Sequence, residues 1–329
     1  MTIEYKNVYI NETATIVGPY EAKGPLKKYY DKTYKELYFG EKTWEQAEKK
    51  LINESIDIVK RKTNRKIDLY IGGDLLNQIV ASNYAAEEFN TSFIGIYAAC
   101  ATSTLGLILA SNFIENKTLK NIITFTSSHN NSAEKQYRYP IEYGGPKPKT
   151  TTFTSTGAAS ALLSNEKQGI KIESGTIGKV VDSGSKNVFH MGEVMAKAAA
   201  DTIYTHLKDT NRKIDYYDLI LTGDLGIYGK EILKDYLKEE YNIRLKNYND
   251  TGTMIYDINN QEVYAGASGP ACAPLVTYSY IFNQMKKGKL KKVLLVATGA
   301  LMNPTMVNQK LTIPAIAHAV SLEVISWYI

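Results

Sequence analysis

The amino-acid sequence predicts an α/β fold in which two similar halves form a layered αβαβα sandwich. Three observations support this prediction: an internal repeat, an alternation of helix-like and strand-like segments, and the composition of an ordinary globular chain. The chain has 329 residues, of which 44% are hydrophobic and 22% are charged. A chain of this length and composition can bury a large core in one or two domains.

The repeat begins with two segments that share their first five residues and then reach Gly-Asp-Leu. The first reads NRKIDLYIGGDLL over residues 64–76, and the second reads NRKIDYYDLILTGDL over residues 211–225. A second pair matches without a gap: ACATSTLGLILASNF begins at Ala99, and ACAPLVTYSYIFNQM begins at Ala271. Matches of this length indicate two copies of one folding unit, which excludes a solenoid of many repeats.

Helix-like and strand-like segments alternate in each half. A helical pattern, with apolar residues three and four positions apart, precedes the first repeated strand in both copies, over residues 43–62 and 191–210. Such alternation predicts parallel strands joined by crossover helices. We expect the halves to comprise residues 1–175 and 176–329.

Residues 130–155 interrupt the alternation. The segment is rich in Pro, Gly, Tyr and Lys and has neither helical nor alternating periodicity. We therefore expect a long irregular loop in the first half, and loops of this length commonly serve as lids or interfaces. Its aromatic residues Tyr137, Tyr139 and Tyr143 favour an ordered loop that packs on the core.

The charge balance excludes some classes of partner. The formal net charge of +5 comes from 39 basic and 34 acidic residues, a small excess for this length. The basic run KKGKLKK at residues 286–292 is typical of a solvated loop before a buried strand. We therefore expect no nucleic-acid partner.

The two cysteines and the termini indicate a reducing compartment. Cys100 and Cys272 lie among small apolar residues, so we expect no disulfide, and we interpret Cys272 as a packing residue. The first ten residues lack the pattern of a signal peptide. The sequence contains no run of about 18 apolar residues, so we expect no transmembrane helix. We also expect no metal and no cofactor.

Several motifs resemble a known superfamily. The cysteine turn ACATS at residues 99–103 and the strand-like TSTGAASALLS at residues 154–164, together with the duplication, resemble the thiolase superfamily, which includes the β-ketoacyl synthases. The blocks GGDLLNQIVASNYAAEEF (72–89), TSSHNNSAEKQYRYPIEYGGPKPKT (126–150) and VATGALMNPTMVNQK (296–310) are similar to the stage V sporulation protein AD family of spore-forming bacteria. This second resemblance spans nearly the whole chain.

The resemblance implies a function that is unusual for the fold. It implies a protein that binds dipicolinic acid and takes part in its uptake, as the calcium chelate, into the developing spore, using a thiolase-like pocket without turnover. The implied partners are dipicolinic acid and the membrane proteins of the same stage V sporulation A operon. The implied location is soluble, or peripheral at the inner spore membrane, and the superfamily implies a homodimer.

Cys100 occupies the position of a catalytic nucleophile. It lies where the strand-like SFIGIYA gives way to the helical TSTLGLILASNF. A helix N-terminus stabilises a thiolate and lowers its pKa, which makes the sulfur nucleophilic. The alternative function is therefore an acyltransferase or ketosynthase-like enzyme that uses Cys100 as a covalent nucleophile.

Acyl transfer also needs a base and donors for the oxyanion. In ketosynthase-like enzymes a His and an Asn, or two His, come from the second half and converge on the cysteine. The corresponding segments here read TGDLGIYG over residues 222–229 and GASGPACAP over residues 266–274. Neither contains His or Asn, so we favour ligand binding over catalysis, with no catalytic residue assigned.

Two histidines are candidate ligand-binding residues beside Cys100. His129 follows a strand-like segment, and the carboxyl ends of parallel strands are where α/β proteins place ligands. His318 lies in the last strand-like segment and aligns with Gly157, a position near the cysteine in the family. For each, a role in capping or in the core is an equal alternative. His190 and His206 are expected to be structural.

Acidic and basic side chains complete the candidate set. Asp74 is a further candidate for ligand binding, although Asp74 and its repeat equivalent Asp224 are typical of residues that cap the next helix. A dianionic ligand would need counter-charges, which could come from three nearby cations. These are Arg138, Lys147 and Lys149.

Overall fold

The computed structural model describes residues 1–138 and 145–325. Its strands, numbered in chain order, are β1 Thr2–Glu4, β2 Tyr9–Val17, β3 Lys32–Thr33, β4 Leu69–Gly73, β5 Phe93–Gly95, β6 Asn121–Ser128, β7 Phe153–Thr154, β8 Gly157–Ser164, β9 Ile170–Ile177, β10 Val181–Asp182, β11 Leu219–Thr222, β12 Tyr248–Asp250, β13 Ala267–Ser268, β14 Lys292–Ala300 and β15 Pro314–Val324. Its helices are α1 Trp44–Arg61, α2 Val80–Ala86, α3 Thr102–Glu115, α4 Asn130–Tyr137, α5 Met191–Asp209, α6 Gly226–Tyr241, α7 Cys272–Val276, α8 Phe282–Lys286 and α9 Pro304–Asn308.

The two halves repeat one strand order. The first half is ordered β5-β4-β6-β8-β2, and the second is ordered β12-β11-β14-β15-β9. The predicted duplication therefore extends to the topology of the sheets. Two residue pairs, Tyr9 with Lys171 and Ile10 with Ile170, join β2 to β9 and connect the two halves into one hydrogen-bonded sheet. Residue 175, the predicted end of the first half, lies within β9.

Most strands of each half run parallel, as the alternation predicts. Strands β4, β5 and β6 pair in parallel, as do β11, β12 and β14. The last strand of each half does not follow this prediction: β8 and β15 pair antiparallel with their neighbours. The chain returns directly beside the preceding strand at these points, which gives antiparallel pairing.

Helices cover the sheets in three layers. Helices α1 and α2 pack together on the outside of the first half, with α1 against β2, β6 and β8, and α5 packs with α6 on the outside of the second half, against β14 and β15. Helix α3 contacts strands of both halves, and α7 packs on β2 and β8. The predicted αβαβα layering is therefore confirmed.

Successive side chains of the buried strands point alternately into two different hydrophobic cores. Along β14, Val293 and Leu295 belong to the central core, whereas Leu294 and Val296 belong to the outer core beneath α5 and α6. This is the expected result of a strand period of two residues when both faces of the sheet are covered. A π-helical turn at Thr277–Ile281 joins α7 to α8 in the central layer.

The segment at residues 130–155 differs from the predicted irregular loop. Its first eight residues form α4, because the His129 side chain caps the helix by accepting a hydrogen bond from the Asn131 N–H at 3.2 Å. Near its end, β7 pairs in parallel with β13 of the second half. Tyr137 lies in α4, while Tyr139 and Tyr143 lie outside the described residues.

Helices α5 and α6 meet at two glycines. A Cβ atom added to Gly229 would lie 2.5 Å from the Cα of Gly192, and a Cβ on Gly192 would lie 2.3 Å from the Leu225 carbonyl oxygen. No side chain fits at such distances. The two helices therefore depend on glycine at both positions for their backbone contact.

We expect Gly229→Ala to lower the free energy of unfolding by about 1–3 kcal/mol through this overpacking. Helix propensity alone predicts the opposite sign, a gain of about 1 kcal/mol. Urea denaturation followed by circular dichroism measures the change. Lys238→Ala, at an exposed position of the same helix, is the matched control; a stabilised Gly229→Ala variant would contradict the close contact.

Candidate ligand pocket

A pocket lies where the turn after β5 meets the ends of β11 and β14. It encloses about 490 Å³ of empty space, with the open solvent at its mouth included. The described residues that line it come from both halves: Leu75, Tyr97, Cys100, Ala133, Glu134, Tyr137, Arg138, Thr154, Met191, Met195, Asp224, Ser268, Gly269, Ala300 and Met302.

Cys100 lies on a tight turn just before α3. The preceding residue, Ala99, has a φ of 48°, in the left-handed region that non-glycine residues rarely adopt. The turn is pressed against the end of β14, since a Cβ atom on Gly299 would lie 2.3 Å from the Ala98 carbonyl oxygen. The glycine at position 299 therefore lets the second half hold the cysteine turn in place.

An acid from the second half faces the Cys100 thiol. Asp224 follows β11 and lines the same pocket as Cys100, where its carboxyl raises the pKa of the thiol. Its carboxylate also accepts hydrogen bonds from the Thr298 hydroxyl at 2.6 Å and from the Gly269 N–H at 3.1 Å. The two segments predicted to approach Cys100, residues 222–229 and 266–274, are therefore the ones that do so.

This environment disfavours a thiolate. Burial raises the pKa of the Cys100 thiol well above its usual range, and the negative charge of Asp224 raises it further. The hydrogen bond from the Gly269 N–H acts in the opposite direction but is the smaller effect. The lowered pKa predicted from the helix N-terminus is therefore wrong, because burial and the neighbouring acid outweigh the helix dipole.

Asp224 does not cap the following helix, which corrects the interpretation from its sequence position. Asp250, at the end of β12, takes that role: its carboxylate accepts hydrogen bonds from the Leu225 N–H at 3.0 Å and the Gly226 N–H at 2.9 Å. In the first half, Asp74 does cap. Its carboxylate accepts from the Leu76 N–H and the Ser82 N–H, both at 2.8 Å.

The structure places His129 outside the pocket lining. Its Nε2 forms a hydrogen bond of 2.8 Å with the Leu37 carbonyl oxygen, and its ring packs edge-on against Phe39. Burial lowers the pKa of His129 to about 4. The histidine is therefore neutral near pH 7 and supplies no positive charge for an anion.

His318 lies in the core of the second half, also outside the pocket lining. Its Nδ1 accepts a hydrogen bond of 3.2 Å from the Gly178 N–H, and burial lowers the pKa of the ring to about 4. Its alignment with Gly157 is wrong by three residues. His318 pairs with Ala297, the repeat equivalent of Phe125, and Phe125 pairs with Ser160.

The other residues of the sequence prediction are structural. Cys272 is fully buried and its thiol faces the Gly223 carbonyl oxygen at 3.4 Å, as expected for a packing residue. Asp74 is buried and does not line the pocket within the described part of the chain. Of the four candidate ligand-binding residues, Cys100 alone lines the pocket there.

A charged cluster forms one wall of the pocket. Glu134 of α4 forms ion pairs with Arg138 and, at 2.9 Å, with Lys147. The Arg138 side chain is only 6% exposed, and its Nε has no hydrogen-bond partner among the described residues. Arg138 and Lys147 together outweigh the charge of Glu134 within this cluster, and Asp224 is a further acidic residue of the pocket lining. The exposed Lys149 does not belong to the described lining.

The described residues contain no group of three or more His, Cys, Asp or Glu side chains that could hold a metal ion. Among their helices, none combines the length and apolar character needed to cross a membrane.

Comparison with known proteins decides the family. The family model described as stage V sporulation protein AD matches residues 1–323. The chain is 47% identical over 320 residues to stage V sporulation protein AD of Bacillus subtilis (strain 168), covering 96% of this chain and 94% of that protein. The chain belongs to the stage V sporulation protein AD family. The resemblance identified from the sequence is thereby confirmed.

Solved structures confirm that this family member has a thiolase-like fold. OleA from Xanthomonas campestris, as a variant, superimposes with a TM-score of 0.61 at 15% identity, covering 98% of this chain and 99% of that chain. The 3-oxoacyl-[acyl-carrier-protein] synthase III from Aquifex aeolicus superimposes with a TM-score of 0.52 at 16% identity, over 98% and 99% of the two chains.

Sequence reasoning missed several residues of this family member's pocket. The sequence identifies Asp224 as the ionisable residue of its turn. Whether the Asp224 side chain faces the pocket depends on Asp250, which caps the following helix from a later part of the chain. Glu134 and Arg138 are spaced four residues apart, a helical ion-pair spacing hidden by the irregular composition around them. Met191 and Met195 belong to a recognised helical pattern that gave no sign of facing a ligand.

We expect Asp224→Asn to raise the rate of Cys100 alkylation by iodoacetamide at pH 8 about fivefold or more. The substitution removes the negative charge that helps to hold the thiol protonated, and a nearby like charge commonly shifts a pKa by about one unit. Peptide mapping by mass spectrometry measures the rate. Asp235→Asn, exposed on α6, is the control. An unchanged rate would show that Asp224 does not control the thiol.

Proposed function

We propose that the Cys100 pocket binds dipicolinic acid, a small aromatic dicarboxylate, without turning it over. Arg138 carries this proposal: its guanidinium is buried at the pocket wall and keeps an unpartnered N–H among the described residues. A buried N–H of a cation is costly unless it meets an anion. A ligand carboxylate at this position would satisfy it.

The rest of the lining suits an aromatic dianion. Tyr97 and Tyr137 provide flat apolar faces, and Met191 and Met195 provide polarisable ones. Burial raises the pKa of Asp224 to about 7, so at neutral pH about half of these carboxyls are protonated. A protonated carboxyl does not repel an anion and can donate a hydrogen bond to it.

The raised pKa of Cys100 supports binding without turnover. Acyl transfer to a cysteine requires a thiolate or a base that takes the thiol proton. The raised pKa leaves little thiolate near pH 7, and no histidine belongs to the described lining of the pocket. The acyltransferase alternative predicts a covalent adduct, so incubation with acyl-coenzyme A followed by intact-mass measurement tests it. An acyl group on Cys100 that is absent from Cys100→Ser would overturn the proposal.

Family membership supports the cellular part of the proposal. We place the protein in the uptake of dipicolinic acid, with calcium, into the developing spore. In this role it acts peripherally at the inner spore membrane, as a homodimer, together with the membrane proteins of the same operon. Co-purification of these proteins with the tagged chain from sporulating cells tests the assignment, and their absence under mild detergent would contradict it.

We expect Arg138→Gln to weaken dipicolinate binding by about tenfold or more, since a charge-assisted hydrogen bond contributes about 1.5–3 kcal/mol. Isothermal titration calorimetry measures the dissociation constant, and circular dichroism verifies folding. Lys149→Gln removes the same charge from a nearby exposed site and should change affinity less than about twofold. No heat from the wild-type chain at millimolar dipicolinate would sink the proposal.

Binding should weaken as the pH rises from 6 to 8. The pKa of Asp224 is about 7, so this carboxyl gains a negative charge across that interval, while ligand carboxyls with pKa values near 4 stay ionised throughout. Titrations at several pH values measure the effect. Asp224→Asn should make the affinity nearly independent of pH; an equal dependence in this variant would assign the effect to another group.

A further inference from the structure

The Cys100 pocket adjoins a second, outer cavity. The outer cavity encloses about 1310 Å³, with open solvent included, between the loop after β4, the end of α4 and the chain after β14. Three residues line both spaces: Tyr97, Tyr137 and Met302. The wall between the cavities is therefore made of two tyrosines and one methionine from three separate segments.

A hydrogen bond joins the two tyrosines across this wall. Their hydroxyl oxygens are 3.1 Å apart. The Tyr137 hydroxyl also donates to the Leu75 carbonyl oxygen. A phenol has one hydroxyl hydrogen, so the hydrogen between the two oxygens belongs to Tyr97. Tyr97 is 43% exposed, and its ring can therefore move toward solvent without opening the core.

A second polar contact and a loop with unfavourable backbone angles lie beside the wall between the cavities. The Gln136 side chain accepts a hydrogen bond from the Asn77 N–H at 2.8 Å, which ties the end of α4 to the loop after β4. In that loop, Gln78 and Ile79 have φ values of 57° and 48°. A left-handed conformation is unfavourable, most of all for the β-branched Ile79.

We propose that Tyr97 and Tyr137 form a gate that selects by size which molecules pass from the outer cavity to Cys100. Opening requires one hydroxyl–hydroxyl bond to break and the Tyr97 ring to swing toward solvent. The gate rests on the proposed function for the nature of the ligand that passes, but its existence can be tested without that ligand.

The chemistry of the outer cavity suits an approaching anion. Its described lining contains the amide side chains of Asn77, Gln78, Gln136 and Asn303 and no charged side chain. An amide carries no net charge and can donate hydrogen bonds to an anion. Arg138 lies beyond the tyrosine pair, in the lining of the inner pocket.

The test compares two thiol reagents of different size on the full chain. Iodoacetamide is small, and monobromobimane carries a bulky bicyclic ring. We expect the ratio of bimane to iodoacetamide labelling rates at Cys100 to rise about fivefold in Tyr97→Phe, which loses one neutral hydrogen bond. Tyr137→Phe loses two bonds and should raise the ratio at least as much. Peptide mapping separates Cys100 from the buried Cys272.

Controls separate access from reactivity. Tyr84→Phe alters an exposed tyrosine that lines neither cavity in the described structure and should leave the ratio unchanged. Asp224→Asn should accelerate both reagents equally and also leave it unchanged. An unchanged ratio in both Tyr97→Phe and Tyr137→Phe overturns the gate, and either variant suffices if the other fails to fold.

A measurement with dipicolinate distinguishes the gate from the proposed function. Stopped-flow mixing should show faster association in Tyr97→Phe than in the wild-type chain. If no variant binds dipicolinate but the labelling ratio rises, the gate stands and the proposed function fails. If dipicolinate binds at the same rate in all variants and the ratio is constant, the gate fails and the proposed function stands.

Discussion

The burial of the central helices between the two halves of the sheet is the constraint on which the rest of the structure depends. Helix α3 contacts strands of both halves, so its position fixes the distance between them. The cysteine turn precedes α3 and is pressed by Gly299 against the second half. Consequently a residue of the first half and an acid of the second half meet at a pocket that neither half would form alone.

The same geometry allows different chemistry according to the residue that faces the thiol. A helix N-terminus favours a thiolate by a modest amount, because its field is confined to the first turn. Burial and a neighbouring carboxyl act directly on the sulfur and in the opposite direction. The thiol of Cys100 is therefore better suited to lining a site than to attacking a ligand, although its backbone setting is that of a nucleophile.

The sequence predicted the fold well because duplication leaves a signal over long distances. The offset that pairs Ala99 with Ala271 also pairs β6 with β14, and the structure follows it. The site was harder to predict, because side-chain direction depends on contacts remote in sequence. His129 follows a strand end, as a ligand residue would, but Leu37 and Phe39 hold its ring. His318 was misplaced because a three-residue shift in a strand changes both its depth and its face.

The role of Asp250 shows a difference between the two copies. Asp250 ends the edge strand β12 and pairs with Thr222, whereas the edge strand β5 of the first half ends at Gly95, which pairs with Gly72. The first copy uses one acid, Asp74, to cap, whereas the second has transferred that task to Asp250. Because Asp250 accepts from the N–H groups of Leu225 and Gly226, Asp224 has no capping contact to make and is available to the pocket. The direction of a pocket side chain thus depends on an edge strand that does not itself line the pocket within the described residues.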